Sequence, residues 1–412
     1  MWEKTVERGW ETSVQQFQYC RSHSFSGLRS VHKMTSENET GNPQITSKPA
    51  VNEEQAINLV EALFGLKVSK VKPLPSYDDQ NFYIQTWDDG NITQREYVLK
   101  ILNGEDSKNS ELVDVQTCAM KFLHDEGLPT PNALFTKSGA IMSLEAIDYG
   151  GVIQKHMVRL LTYLPGTPAA EITTTPEILF EVGKLAAILD EALTKKFQHS
   201  CKKSFDRGEF IWNLSNTPLL RKYTYAIKEE NLRQKIEGVI NQFENSVKQD
   251  LKIFRQCINH GDLNDHNLLL EKINVSNENN RNQHRVSGIL DFGDMSSGYY
   301  VYEVAITIMY MMIESPDPLP VGGYVLAGYE SVVPLTKEEK AALFTLVCCR
   351  FSQSLVMARY SVLLCPENEE YLMITAKTGW KHLMTLLDIG KEAIEKIWED
   401  TAKSYLDRRH EN

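Results

Sequence analysis

The stretch that decides the reading runs from His260 to Asn267, "HGDLNDHN". It sets two aspartates, two asparagines and two histidines between the apolar runs "IFRQCI" (253–258) and "LLL" (268–270). A polar turn leading into a hairpin has this composition, and so does a catalytic loop. A turn asks nothing of the rest of the chain. A catalytic loop asks for a second charged segment brought beside it and a core that holds both still.

The second segment is present. "LLLE" (268–271) and "VSGILDF" (286–292) read as two short strands, joined by the Asn-rich "NVSNENNRNQH" (274–284), expected as a solvated hairpin tip. Asp291-Phe292-Gly293-Asp294 closes the far strand, so Asp291 is delivered to the loop that carries Asp262.

Outward from the hairpin, the chain reads in two parts. "NEEQAINLVEALFG" opens with an Asn52 cap and Gln55 three positions on, and stops at Gly65. Ala56, Val60, Leu63 and Phe64 mark its inner face. Strands are expected in "LKVSKVKPL", "NFYIQTW", "EYVLKIL" and "MVRLLTYLPG", and a helix from Ser110 with Leu112, Val115, Ala119 and Leu123 inside. Beyond Pro165 helices dominate: "PEILFEVGKLAAILDEAL", then 225–257, 337–362 and 371–407. The expectation is an α+β, bilobal, protein-kinase-like fold. Residues 1–51 form an extension, 52–163 a strand-rich lobe, 164–168 a Pro-Gly hinge, and 169–412 a helical lobe carrying the hairpin.

Composition narrows the function. A formal net charge of -11 argues against a nucleic-acid partner, which favours a basic face. Seven cysteines without a C-x-x-C pair fit reduced thiols in a cytosolic protein better than a disulfide frame or zinc site. No apolar run reads as long enough to cross a bilayer; the best, "VAITIMYMMI" (304–313), reads as a buried helix. Trp2, Val6, Trp10, Val14 and Phe17 share a helical face, and with Arg8, Arg21 and Arg29 they give a mitochondrial presequence as the alternative. Glu3, Glu7 and Glu11 oppose it, because such segments are poor in acids. Residues 1–33 therefore read as dispensable, with Met34 as a second start and 34–50 disordered.

Protein kinases carry H-R-D-L-x-x-x-N followed by D-F-G. This chain matches each fixed position except the arginine, which is Gly261. With "SGILDFGD" and the lead-in "KPLPSYDDQNF", the chain resembles the aminoglycoside-phosphotransferase-like small-molecule kinases over roughly residues 52–407. The resemblance implies transfer of a phosphoryl group from GTP, with ATP as alternative donor, to the hydroxyl of 5-hydroxy-L-lysine. Other amino alcohols (homoserine, choline, an aminoglycoside-like amine) and a non-catalytic pseudokinase are the competing readings. It also implies roles. Asp262 accepts the proton of the attacking hydroxyl, worth about 10²- to 10⁴-fold in such sites. Asn267 and Asp291 hold Mg²⁺, and Lys100 meets the nucleotide phosphates. The cation answers a real repulsion, since two unit negative charges at about 4 Å oppose each other by ~4 kcal/mol at an effective dielectric near 20.

Three departures qualify the pattern. Counted back from "GLPTP", the acid that pairs the kinase lysine falls at Gln116, with Glu111 and Asp114 as substitutes. The phosphate-covering loop "PSYDDQNF" has no glycine; Ser76 and Asn81 are its candidate donors, while Asp78 and Asp79 would repel phosphate unless turned away. Gly261 removes the arginine that answers a phosphorylated activation loop, and no A-P-E follows, which favours a small-molecule acceptor. Glu303 is expected to brace the catalytic loop or to serve a helix start. Acids for the acceptor's ammonium groups are sought among Asp265, Asp294 and Glu314, and cations for its carboxylate in Arg207 and Arg350. "FIWNL" (210–214) and the Met309, Met311 and Met312 cluster read as core.

Overall fold

The computed structural model describes residues 48–74, 76, 79–88, 91–273, 284–364 and 369–411. The helical face expected over residues 2–17, Met34, Asp78 and nearly all of the hairpin tip lie outside them. The described residues form two compact units: those up to Cys118 with Asn132–Tyr163, and Ala119–Pro131 with those from Leu164 onward.

In the first unit, helix α1 (Glu53–Phe64) begins at a reciprocal cap. The Asn52 side chain accepts the Gln55 N–H at 2.8 Å, and the Gln55 side chain accepts the Asn52 N–H at 2.9 Å. Gly65 ends the helix at φ 69°, a conformation that favours glycine. Strands β1 (Val68–Leu74), β2 (Gln80–Asp88), β3 (Asn91–Ile101), β4 (Ser143–Asp148) and β5 (Ile153–Thr162) form one antiparallel sheet in the order β1-β2-β3-β5-β4. Alternation sorts its faces. Phe82, Ile84, Leu99, Ile101, Val158 and Leu160 pack with Ala56, Val60 and Phe64 of α1. The opposite face carries a row across three strands, Asn81 opposite Lys100 and Lys100 opposite Arg159. Arg159 donates to Thr117 of α2 (Ser110–Asp125) at 2.7 Å. Strand β4 has no counterpart in the sequence reading. It is an edge strand on which only Ile147 is buried, so it lacks the apolar run that marks an inner strand.

The second unit contains α3 (Pro176–Glu191), α4 (Glu230–Gln242), α5 (Tyr300–Ile313), α6 (Val321–Glu330), α7 (Lys337–Leu364), α8 (Glu369–Ile389) and α9 (Lys391–Glu411). Two small sheets accompany them. Strand β8 (Leu268–Lys272) pairs with β9 (His284–Ile289) and with β6 (Thr167–Pro168), the end of the stretch expected as a hinge. Strand β7 (Gln256–Asn259) pairs antiparallel with β10 (Ser296–Tyr299).

Three expectations are corrected here. The helical pattern over 225–257 yields only α4, a π-helical turn at Phe243–Val247, two short 3-10 turns and the start of β7. The partner that makes 256–259 a strand lies about forty residues on, beyond the reach of a local pattern. The pattern over 371–407 is two helices, because Gly390 leaves the helix at φ 88°. The longest apolar segment is also not 304–313. Lys337–Leu363 in α7 is long and apolar enough to cross a membrane by composition, but it is almost wholly buried inside this unit as a core helix.

Helices α3 and α6 touch backbone to backbone at two glycines. A Cβ at Gly183 would lie 2.0 Å from the Val325 carbonyl oxygen, and one at Gly328 would lie 1.9 Å from that of Phe180. Neither neighbour is a side chain that can swing aside. Gly328→Ala is therefore expected to destabilise the protein by about 3 kcal/mol, the upper range for overpacking. Thermal unfolding measures it, and an unchanged midpoint would contradict the close approach.

Candidate active site

In the first unit a cation stands on a strand. Lys100 ends β3, and its Nζ stands 3.1 Å from Asp79 Oδ2. Asp79 is buried, and its Oδ1 accepts the Asn103 N–H at 2.9 Å and the Asn103 side-chain amide at 3.2 Å. A carboxylate from the loop before β2 is thus one partner of the lysine, and Gln116, at the helix position expected for an acid, is buried on α2. Asp79 is turned to the lysine, the case the sequence reading left open for an acid in this loop. Asn81 stands beside Lys100 in the ladder, with its Oδ1 buried and no hydrogen-bond partner among the described residues. Ser76 offers its carbonyl to Lys48 at 2.6 Å. Arg159, buried next to Lys100 in the same row, is a second cation that the sequence reading passed over.

In the second unit lies the His260–Asn267 loop, several of whose groups have identifiable anchors. His260 Nε2 meets the Leu290 carbonyl at 3.0 Å, so Nδ1 is left to accept the Asp262 N–H at 3.3 Å. That fixes a neutral tautomer and ties the loop to the strand leading to Asp291. Gly261 adopts φ 80°, and a Cβ there would lie 2.8 Å from the Asp294 carbonyl oxygen. No arginine fits this position. The Gly261 N–H is accepted by the Glu303 carboxylate of α5 at 3.2–3.3 Å, which makes Glu303 the brace of the loop.

Asp262 is buried with both oxygens held. Oδ2 accepts the side-chain amides of Asn264 at 3.0 Å and Asn267 at 2.9 Å. Oδ1 lies 3.3 Å from Arg350 Nη2 on α7. Burial is the foremost force on its carboxyl, and it pushes the pKa up to about 8 together with the nearby Asp294 and Asp291 carboxylates, while Arg350 opposes them. Glu303, also buried, is pushed to about 7, opposed by the Gly261 and His260 N–H groups. Asp265 is raised to about 7 by burial, and its Oδ2 is without a hydrogen-bond partner among the described residues. Asp291 is the sole non-glycine residue at positive φ, 55°, among the described residues, and its Oδ1 accepts the Gly293 N–H at 3.2 Å. Strain of this kind concentrates at functional turns.

Metal-holding residues fit the donor chemistry. The Asn267 amide nitrogen is committed to the Asp262 carbonyl and carboxylate, so its oxygen is the donor it can present. An amide oxygen and the Asp291 carboxylate are hard ligands of the type Mg²⁺ takes. The structure places the remaining candidates as follows. Arg207 donates to the Gly293 carbonyl at 3.0 Å and lies 3.5 Å over the Phe210 ring, so it supports the Asp291 turn. Asp294 is buried within that turn. Glu314 follows the last residue of α5, its N–H bonded to the Met312 carbonyl, and Met309, Met311, Met312, Phe210 and Trp212 are buried core.

A model of the phosphotransferase enzyme family matches residues 70–341, more than half of the chain, and the chain belongs to that family. It is a phosphotransferase that takes an alcohol as acceptor. It is 63% identical over 360 residues to the hydroxylysine kinase of Xenopus laevis, covering 87% of this chain and 96% of that protein. It is 55% identical over 369 residues to that of Bos taurus, covering 88% and 96%. Among solved structures, an amicoumacin kinase in complex with AMP-PNP and Ca²⁺ aligns with a TM-score of 0.56 at 14% identity, covering 80% of this chain and 94% of that one. The two-lobed α+β architecture is the one that likeness describes.

Two outcomes follow from the geometry. Asp79→Ala is expected to raise the nucleotide KM about tenfold by releasing Lys100, roughly the 1.4 kcal/mol that such a factor represents; steady-state kinetics with varied nucleotide measures it, and an unchanged KM would separate Asp79 from nucleotide binding. Gly261→Ala is expected to lower kcat by about 10²-fold, the scale of a misplaced catalytic group. Full kcat in the alanine variant would show that the loop tolerates a side chain there.

Proposed function

We propose that the protein transfers the γ-phosphoryl group of GTP to the side-chain hydroxyl of 5-hydroxy-L-lysine. The acceptor is supported by likeness to hydroxylysine kinases along nearly their whole length. GTP is the donor that the family resemblance implies, with ATP as the alternative the assay separates. The chemistry rests on one observation above others: a buried Asp262 carboxylate fixed in place beside Asn267.

In the reaction, the hydroxyl oxygen attacks the γ-phosphorus and its proton passes to Asp262. The bond from phosphorus to the bridging oxygen breaks, and the nucleoside diphosphate leaves. Asn267 through its amide oxygen and Asp291 through its carboxylate would hold Mg²⁺, which supplies charge neutralisation for the phosphates. Lys100, aligned by Asp79, would meet the phosphates as a point charge. Glu303 and His260 keep the loop from shifting during proton transfer. The adjacent Cys348 and Cys349, buried and unbridged on α7, support a reducing, cytosolic setting.

The test is nucleoside-diphosphate release with Mg-GTP or Mg-ATP and, separately, 5-hydroxy-L-lysine, lysine, homoserine and choline. Turnover confined to hydroxylysine and reduced at least about 10²-fold by Asp262→Asn is expected; turnover on homoserine or choline instead would replace the acceptor. Asp291→Asn is expected to raise the Mg²⁺ concentration for half-maximal rate about tenfold or more, the lower range for loss of a metal-supporting group. An unchanged Mg²⁺ requirement would remove Asp291 from the metal site.

A further inference from the structure

Arg350 is wholly buried on α7. As a residue type it suits an acceptor carboxylate, but both terminal nitrogens bond within the protein, while Nε is buried with no hydrogen-bond partner among the described residues. Nη1 donates to the Trp212 carbonyl at 3.1 Å. Nη2 donates to the Gly261 carbonyl at 3.0 Å and reaches Asp262 Oδ1 at 3.3 Å. The guanidinium carbon lies 4.9 Å from the Trp212 ring centre and 5.2 Å from that of Tyr310, so aromatic faces flank the group. A lysine cannot reproduce a planar fork held in this way.

The placement matters because the Asn264 and Asn267 amides hold only one oxygen of Asp262. The other oxygen is held by Arg350, which also grips the carbonyl of the preceding residue. Without it, the carboxylate can pivot about Oδ2, and the guanidinium that opposes the repulsion from Asp294 and Asp291 is lost. We propose that Arg350 is a positioning residue for phosphoryl transfer, acting through Asp262 by holding the base in one orientation and meeting neither acceptor nor nucleotide. The proposal rests on the reading of Asp262 as the base.

A double-mutant cycle tests it, with transfer of labelled phosphate to 5-hydroxy-L-lysine as the readout and thermal unfolding followed alongside. Arg350→Lys is expected to lower kcat about 10²-fold, with KM for nucleotide and acceptor within about twofold. In the Asp262→Asn background the same change is expected to cost less than about threefold, because groups that act as a unit are not additive. An equal loss in both backgrounds would overturn the proposal, since Arg350 would then act independently of Asp262. So would a raised acceptor KM with kcat unchanged, which would make Arg350 a substrate ligand. Should the lysine variant not fold, Arg350→Gln takes its place in the cycle; failure of both to fold would assign Arg350 to stability alone. Full activity of Asp262→Asn itself would instead remove the base assignment, an outcome distinct from the rest.

Discussion

A carboxylate taken out of water must be answered, and Asp262 is the one around which the catalytic half of this protein is arranged. An unanswered buried charge costs several kcal/mol or neutralises itself. Here two amides from its own loop hold one oxygen and a guanidinium from a helix far along the chain holds the other. Its flanking glycine is gripped by Glu303, and its own N–H by His260. Such a group must be removed from water, which raises its affinity for a proton, and must keep enough partners to stay in one orientation. The density of buried polar groups in this region follows from that pair of demands.

The same logic accounts for what was legible in the sequence. The loop and the far strand are contiguous stretches whose residue order carries the chemistry, so Asp262, Asn267 and Asp291 stand out on inspection. So do α1 and α2, where capping residues and apolar spacing act locally. The partners of the site were not legible for a physical reason. Asp79 reads as a repulsive acid in a turn, because nothing local shows that its side chain swings to Lys100 across the sheet. Arg350 reads as a free cation, because its role depends on α7 packing beneath a loop 88 residues earlier. Strands β7 and β10 were missed likewise: each is four residues long, and each is a strand because of the other.

Glycine serves two separate purposes. At Gly261 the backbone turns through a positive φ and passes close to the Asp294 carbonyl, so the catalytic loop and the Asp291 turn can approach as side-chain-bearing residues would not allow. At Gly183 and Gly328 the conformation is ordinary helix, and the missing side chain lets α3 and α6 meet directly. The first is a constraint on chemistry and the second on the framework.

The anchoring of Asp262 from α7 also bears on what counts as the functional unit of this chain. The two sequence motifs end by Asp294, yet the group that holds the second oxygen of Asp262 comes more than fifty residues later. A polypeptide that stopped after α6 would keep every motif residue, and would carry a buried carboxylate with one oxygen unanswered. The motifs are therefore not a portable cassette; the carboxylate they carry is held at both oxygens only when α7 has packed beneath them.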